Sequence, residues 1–222
     1  QKREIGPRTL FGQLGGKVAT EEATMQLELP RVIGHRGAMR LAPENTLAGI
    51  DQAAREGVNW VEFDVKLTAD GIPILMHDVS LKRTTGHRAL VRDTHYSTIR
   101  HLDAGYRFHD SFTGEAVPTL PEALARCALL GITPNIEIKP CIGRERTTAL
   151  AVTEAIKAYW PKGEPPALLS SFSAKSLLAA RRDAPAYPRG LLANRLPKDW
   201  RRLHQRLELS AIHLNGMHIT TA

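Results

Sequence analysis

The sequence predicts an α/β protein, a TIM (β/α)8-type barrel with a small insertion that stops short of its last β/α unit. Three observations carry this expectation. Short apolar runs alternate with helical patterns along most of the chain, joined by short connections, as in a parallel sheet wrapped by helices. Two of those runs place ionisable residues at every second position, on one face only. Two histidines close apolar runs, at the strand ends where barrels of this type carry their reactive groups.

Taken in order, residues 1–30 are polar and glycine-containing without a clear period, and read as a tail or strap ahead of a barrel domain at 31–222. RVIGH (31–35) is the first strand. TLAGIDQAAREG (46–57) has helical spacing and ends at Gly57, a residue type suited to helix termination. WVEFDVKLT (60–68) alternates apolar and polar residues. After the turn ADG, IPILMHD (72–78) is counted as another strand. Residues 79–117 break the alternation; the segment is long, polar and glycine-containing, and reads as an insertion that covers the site as a lid. PTLPEALARCALLG (118–131) is a helix with Pro near its start and Gly at its end. PNIEIKP (134–140) is a strand and RTTALAVTEAIKAYW (146–160) a helix. ALLSSF (167–172) is a strand, and SAKSLLAARRDA (173–184) a helix capped by Ser173. RGLLAN (189–194), DWRRLHQRLE (199–208) and LSAIHLN (209–215) give strand, helix and the seventh strand. A full barrel takes about 250 residues; this chain has 222.

Composition excludes several classes. At 42% hydrophobic and 24% charged residues, the chain is an ordinary globular sequence. No apolar run approaches the roughly 18 residues of a membrane helix, and QKREIGPRTLFGQLGGKVATEE has no apolar signal-peptide core. The net charge of +7 permits nucleic acid, an anionic surface or an anionic small substrate. The Lys and Arg residues are scattered, however, and aromatics make up only 5%. A stacking platform for single strands is therefore not expected. Cys127 and Cys141 form neither a disulfide framework nor a CxxC metal pair. They read as reduced structural thiols of a cytoplasmic protein.

The chemistry lies in the alternating strands. In WVEFDVK, Val61, Phe63 and Val65 share one face, and Glu62 and Asp64 the other, about 7 Å apart along the strand. NIEIKP repeats the device, with Ile136 and Ile138 on one face and Glu137 and Lys139 on the other. Chance alternation on a solvated face would produce the same pattern once. Two strands that both aim ionisable groups at an enclosed face point instead to a site, because buried charge is costly unless paired or bound to metal. His35 and His77 end two of the runs, beside these carboxylates. Three carboxylates suit a hard divalent cation, Mg²⁺ or Ca²⁺, better than zinc. With such an ion, Glu62, Asp64, Glu137, Arg36 and Lys139 leave one positive charge, which a singly charged phosphodiester neutralises.

HRG followed by PENT (Pro43–Thr46), then E-F-D, H-D and IEIKP, resembles the glycerophosphodiester phosphodiesterase family. The resemblance is strong over Val32–Pro140 and continues weakly through SFS (171–173) and IHLN (212–215). It implies a TIM barrel with a small insertion, a divalent metal, and hydrolysis of glycerophosphodiesters to sn-glycerol 3-phosphate and an alcohol. It implies a general acid/base pair in His35 and His77, metal ligation by Glu62, Asp64 and Glu137, and phosphate binding by Arg36 and Lys139. Glu44 is expected close to the site and Asn45 as the cap of the following helix, both as structural supports, and Phe172 on the glycerol side or in the barrel core.

Two other readings compete. A related phospholipid phosphodiesterase of phospholipase C or D type needs an apolar rim to meet a bilayer, and no amphipathic membrane helix is seen. A catalytically silent phosphate-binding module needs no proton shuttles, yet both histidines are present. The partner expected is therefore a small glycerophosphodiester, with neither nucleic acid nor stable membrane insertion.

Overall fold

The computed structural model describes residues 27–218. The expected tail or strap at 1–30 lies outside these residues except for 27–30, which form neither helix nor strand. The elements relevant to the site are β1 (Gly34–His35), α1 (Leu47–Arg55), β2 (Trp60–Leu67), β3 (Pro73–Leu75), α2 (Lys82–Thr85) and α3 (Tyr96–Ile99). They continue with α4 (Leu120–Leu130), β4 (Thr133–Ile138), α5 (Glu145–Tyr159), β5 (Leu168–Ser171), α6 (Ala174–Asp183), β6 (Arg189–Ala193), α7 (Trp200–Leu207) and β7 (Ala211–Leu214).

The sheet runs β1-β2-β4-β5-β6-β7 with every neighbour parallel. It is a curled barrel wall with β1 and β7 as its edges among the described residues. One strand corrects the count made from sequence. IPILMHD does form β3, but it pairs antiparallel to β2, with Val65 opposite Leu75. It is a hairpin arm and not a barrel strand, so the parallel path has six members. The reason is connection length. A parallel crossover needs about a dozen residues or more, and the link between Leu67 and Pro73 is far shorter.

The apolar positions of the strands form the outer face, as their alternation requires. Val61, Phe63 and Val65 of β2, Ile136 and Ile138 of β4 and Leu169 of β5 pack on Ile50 and Ala53 of α1, Leu120, Leu124 and Cys127 of α4, and Val152 and Ile156 of α5. Each fully buried side chain of this size contributes about 1.5–3 kcal/mol, which fixes the inner face by default. The helix ends follow local chemistry. The Ser173 side chain accepts from the Ser176 N–H at 3.1 Å. Thr119 and Glu122 close α4 with a reciprocal capping box, and Gly131 ends it at φ 64°.

Residues 79–117, expected as a polar insertion, carry their own apolar cluster. Leu81, Val91, Ile99 and Val117 close over Ile74 and Met76. Ile74 lies in β3, so this arm joins the insertion to the wall. Cys127 and Cys141 are both free and buried, as expected. Among the described residues no helix is long and apolar enough to cross a membrane.

Candidate active site

Strand register gathers the site. Glu62 of β2 lies opposite His35 of β1, and Asp64 lies opposite Glu137 of β4. One carboxylate oxygen from each of Glu62, Asp64 and Glu137 lies within 4.8 Å of the other two. All three expected ligands are thus brought together on the inner face.

The turn after β1 delivers Arg36. Its backbone is left-handed at φ 51°, and Gly37 follows at φ 82°. The Arg36 N–H donates to Glu62 Oε2 at 3.0 Å. Its Nη1 donates to Glu44 Oε1 at 3.0 Å, and its Nε lies 3.4 Å from Asp64 Oδ2. Lys139, two residues past Glu137, places Nζ 2.9 Å from Glu137 Oε1 and 3.1 Å from Asp64 Oδ1. Both expected phosphate-binding cations therefore face the carboxylate cluster.

Asn45 departs from expectation. Thr46 caps α1 and accepts from the Gly49 N–H at 3.1 Å. Asn45 instead clamps Asp64: its Nδ2 donates to Asp64 Oδ2 at 2.9 Å, and its Oδ1 accepts from the Asp64 N–H at 3.0 Å. The left-handed φ of 56° at Asn45 turns its side chain away from the helix and toward the sheet. Asn tolerates that backbone better than most residues, and a shorter Ser or Thr at this position would not span to Asp64. Glu44 is near the site, as expected, and bonds both Arg36 and Arg83.

The two histidines flank the cluster. His35 Nε2 is 3.8 Å from Glu62 Oε2. What shielding it has, together with the Arg36 cation beside it, pushes the His35 imidazole below its ordinary range. It is then neutral near pH 7 and able to accept a proton. His77 closes the β3 arm, and its Nδ1 lies 2.7 Å from Asp78 Oδ1. Phe172 is exposed just past β5, with Lys139 Nζ 5.9 Å from its ring centre. It is therefore not a barrel-core residue.

The electrostatics are those of crowded carboxylates. Burial, and then the charges of Asp64 and Glu137, raise Glu62 well above the usual carboxylate range. Burial, and then Asp64, push Glu137 up to about 7. Burial opposes the charge of Asp64, but Lys139, Asn45 and Arg36 outweigh it and hold this carboxyl low. An all-oxygen donor set with two members straining to stay protonated fits a hard divalent cation, whose charge relieves that repulsion.

Three participants were missed from sequence. Lys66 continues the inward face of Glu62 and Asp64, is 2% exposed, and donates to the Lys139 carbonyl at 3.0 Å. The same period-2 pattern would have found it. Asp78 adjoins His77 in the chain, and Arg83 reaches back from α2 to Glu44, 39 residues away. No local pattern announces that second contact.

Comparison with known proteins gives a consistent neighbourhood. Residues 35–222 match the sequence model of the glycerophosphoryl diester phosphodiesterase family. A glycerophosphodiester phosphodiesterase of Caldanaerobacter subterraneus subsp. tengcongensis is 36% identical over 188 residues, covering 84% of this chain and 75% of that one. Glycerophosphodiester phosphodiesterase 1 of Bos taurus is 44% identical over 121 residues, covering 52% of this chain and 37% of that one. This chain thus spans most of the bacterial relative but little more than a third of the bovine one. Among solved structures, an Oleispira antarctica phosphodiesterase in complex with the product sn-glycerol-3-phosphate superposes with a TM-score of 0.81 at 39% identity. That match covers 84% of this chain and 75% of the other.

Proposed function

The chain belongs to the glycerophosphoryl diester phosphodiesterase family of hydrolases, and from that premise we propose that it hydrolyses glycerophosphodiesters to sn-glycerol 3-phosphate and an alcohol, with a divalent cation. The observation that carries this reading is the convergence of Glu62, Asp64 and Glu137 within 4.8 Å, flanked by two cations and two histidines.

Glu62, Asp64 and Glu137 would hold Mg²⁺ or Ca²⁺. When bound, the ion supplies Lewis-acid stabilisation of charge on a phosphate oxygen. Arg36 and Lys139 hold the remaining phosphate oxygens and offset the charge that builds on them. Ion pairs with Glu44 and Asp64 for Arg36, and with Asp64 and Glu137 for Lys139, hold both cations beside the cluster. One histidine takes the proton from the glycerol 2-hydroxyl or from water; the other gives a proton to the departing alkoxide. The first route passes through a cyclic phosphate that water then opens. Neutral His35 suits the accepting role.

The test is to incubate the protein with glycerophosphocholine and Mg²⁺ or Ca²⁺, with and without EDTA, and to measure glycerol 3-phosphate. Release that EDTA abolishes is expected. Binding of phosphate without turnover would replace this reading with that of a silent phosphate-binding module.

A further inference from the structure

A chain of ion pairs runs from His77 to Arg36 through residues with no role in the chemistry above. Asp78 Oδ1 lies 2.7 Å from His77 Nδ1. Arg83 Nε donates to Asp78 Oδ2 at 2.7 Å, and its Nη2 to Asp78 Oδ1 at 3.1 Å. The same guanidinium grips Glu44: Nη1 donates to Oε2 and Nη2 to Oε1, both at 2.7 Å. Glu44 Oε1 also accepts from Arg36 Nη1 at 3.0 Å. Every nitrogen of the Arg83 fork bonds a carboxylate, so Arg83 has no nitrogen left unengaged for a phosphate.

We propose that Asp78 and Arg83 are positioning residues, a relay that fixes His77 with its Nδ1 protonated and its Nε2 presented to the reaction, and that ties this histidine to Arg36. The proposal rests on the reading of His77 as an acid/base group. Its physical basis is direct. Hydrogen bonds from Arg83 in the first place, aided by His77, hold the Asp78 carboxyl down at about 2. At neutral pH it is an anion that only accepts, so the His77 nitrogen facing it must carry the proton. The imidazole is then locked in one tautomer and one orientation. The other charged groups that His77 influences are Asp64 and His35.

Arg83 comes from α2, the first helix of the insertion. Leu81, just before that helix, is fully buried in the insertion's own apolar cluster. The insertion therefore reaches the site through Arg83. Through one arginine it sets the spacing between a proton-transfer group and a phosphate-binding group that sit just past the ends of two different strands, β3 and β1.

The experiment compares the full chain with Asp78→Asn, Arg83→Gln and Arg83→Lys by steady-state kinetics and by ¹⁵N NMR of the His77 ring. Wild type is expected to show the Nδ1–H form. Asp78→Asn is expected to give a tautomer mixture and a kcat lowered about 10–100-fold, the usual loss when an orienting partner is removed. Its KM should change little, since both Asp78 oxygens are engaged by His77 and Arg83. Arg83→Gln is expected to lower kcat and raise KM together, because it loosens His77 and Arg36 at once. Arg83→Lys keeps the charge without the fork and should recover part of kcat. Asp78→Asn with wild-type kcat and an unchanged ¹⁵N spectrum would overturn the relay. If Arg83→Gln fails to fold, Arg83→Lys with wild-type kcat, KM and spectrum overturns the Arg83 role. A wild-type protein without turnover would instead defeat the proposed activity, while the NMR spectra still decide whether the relay exists.

Discussion

Gly37→Ala tests the turn that carries Arg36 into the site. The residue has φ 82°, in the left-handed region. An added Cβ would stand 2.6 Å from the Gly49 carbonyl carbon and 2.7 Å from its oxygen. Both atoms are backbone of α1, so no side chain can rotate away. The left-handed conformation costs an alanine about 1–2 kcal/mol, and overpacking against fixed atoms adds about 1–3 kcal/mol. Gly57→Ala separates these contributions. Gly57 has φ 73° with nothing within 4 Å of its would-be Cβ, so it pays only the conformational cost. Urea denaturation should therefore place Gly37→Ala about 1–3 kcal/mol below Gly57→Ala, with an unchanged slope. Turnover should fall as well in Gly37→Ala, because Arg36 is the preceding residue. Equal destabilisation by the two variants would refute the argument that α1 and the turn meet backbone to backbone.

Other expectations follow from the same geometry. His35→Ala and His77→Ala should each lower kcat by about 10²–10⁴-fold while Mg²⁺ binding, followed by calorimetry, persists; full activity in either variant would remove that residue from the reaction. Asp64→Asn or Glu137→Gln should weaken divalent-metal binding by on the order of tenfold or more, and unchanged isotherms would place the metal elsewhere. Burial holds His213 down at about 4 in the folded protein, against an ordinary value near 6.5. The unfolded chain then binds the extra proton first, so this histidine's neutral burial stabilises the fold fully above about pH 6.5, and the stability is lost as pH falls toward 4. Denaturant melts of wild type and His213→Gln at pH 7.5 and 5 should show wild type losing about 2 kcal/mol more than the variant; equal losses would contradict the buried neutral state.

Legibility in the sequence followed the range of the interaction. Helix ends at Gly131 and Ser173 were readable because caps are local. Lys66 was readable in principle, because it extends the alternation of Glu62 and Asp64 along one strand. The direction of β3 was readable too, from a link too short for a parallel crossover. Asn45 was misjudged for the opposite reason. Its type and position suit a helix cap, but Thr46 next to it also caps, and only the sheet beneath decides which of the two turns inward.

By itself, then, the sequence determined the α/β alternation, the faces of β2 and β4, and the set of groups able to carry chemistry. Those properties depend on the period of the backbone and the solubility of side chains, which any short window of residues expresses. Tertiary structure alone decided that Glu62 lies opposite His35 and Asp64 opposite Glu137, that Asn45 clamps Asp64, and that Arg83 links Glu44 to Asp78. Strand register and long-range ion pairs arise from packing between segments far apart in the chain, where no local pattern fixes which donor meets which acceptor.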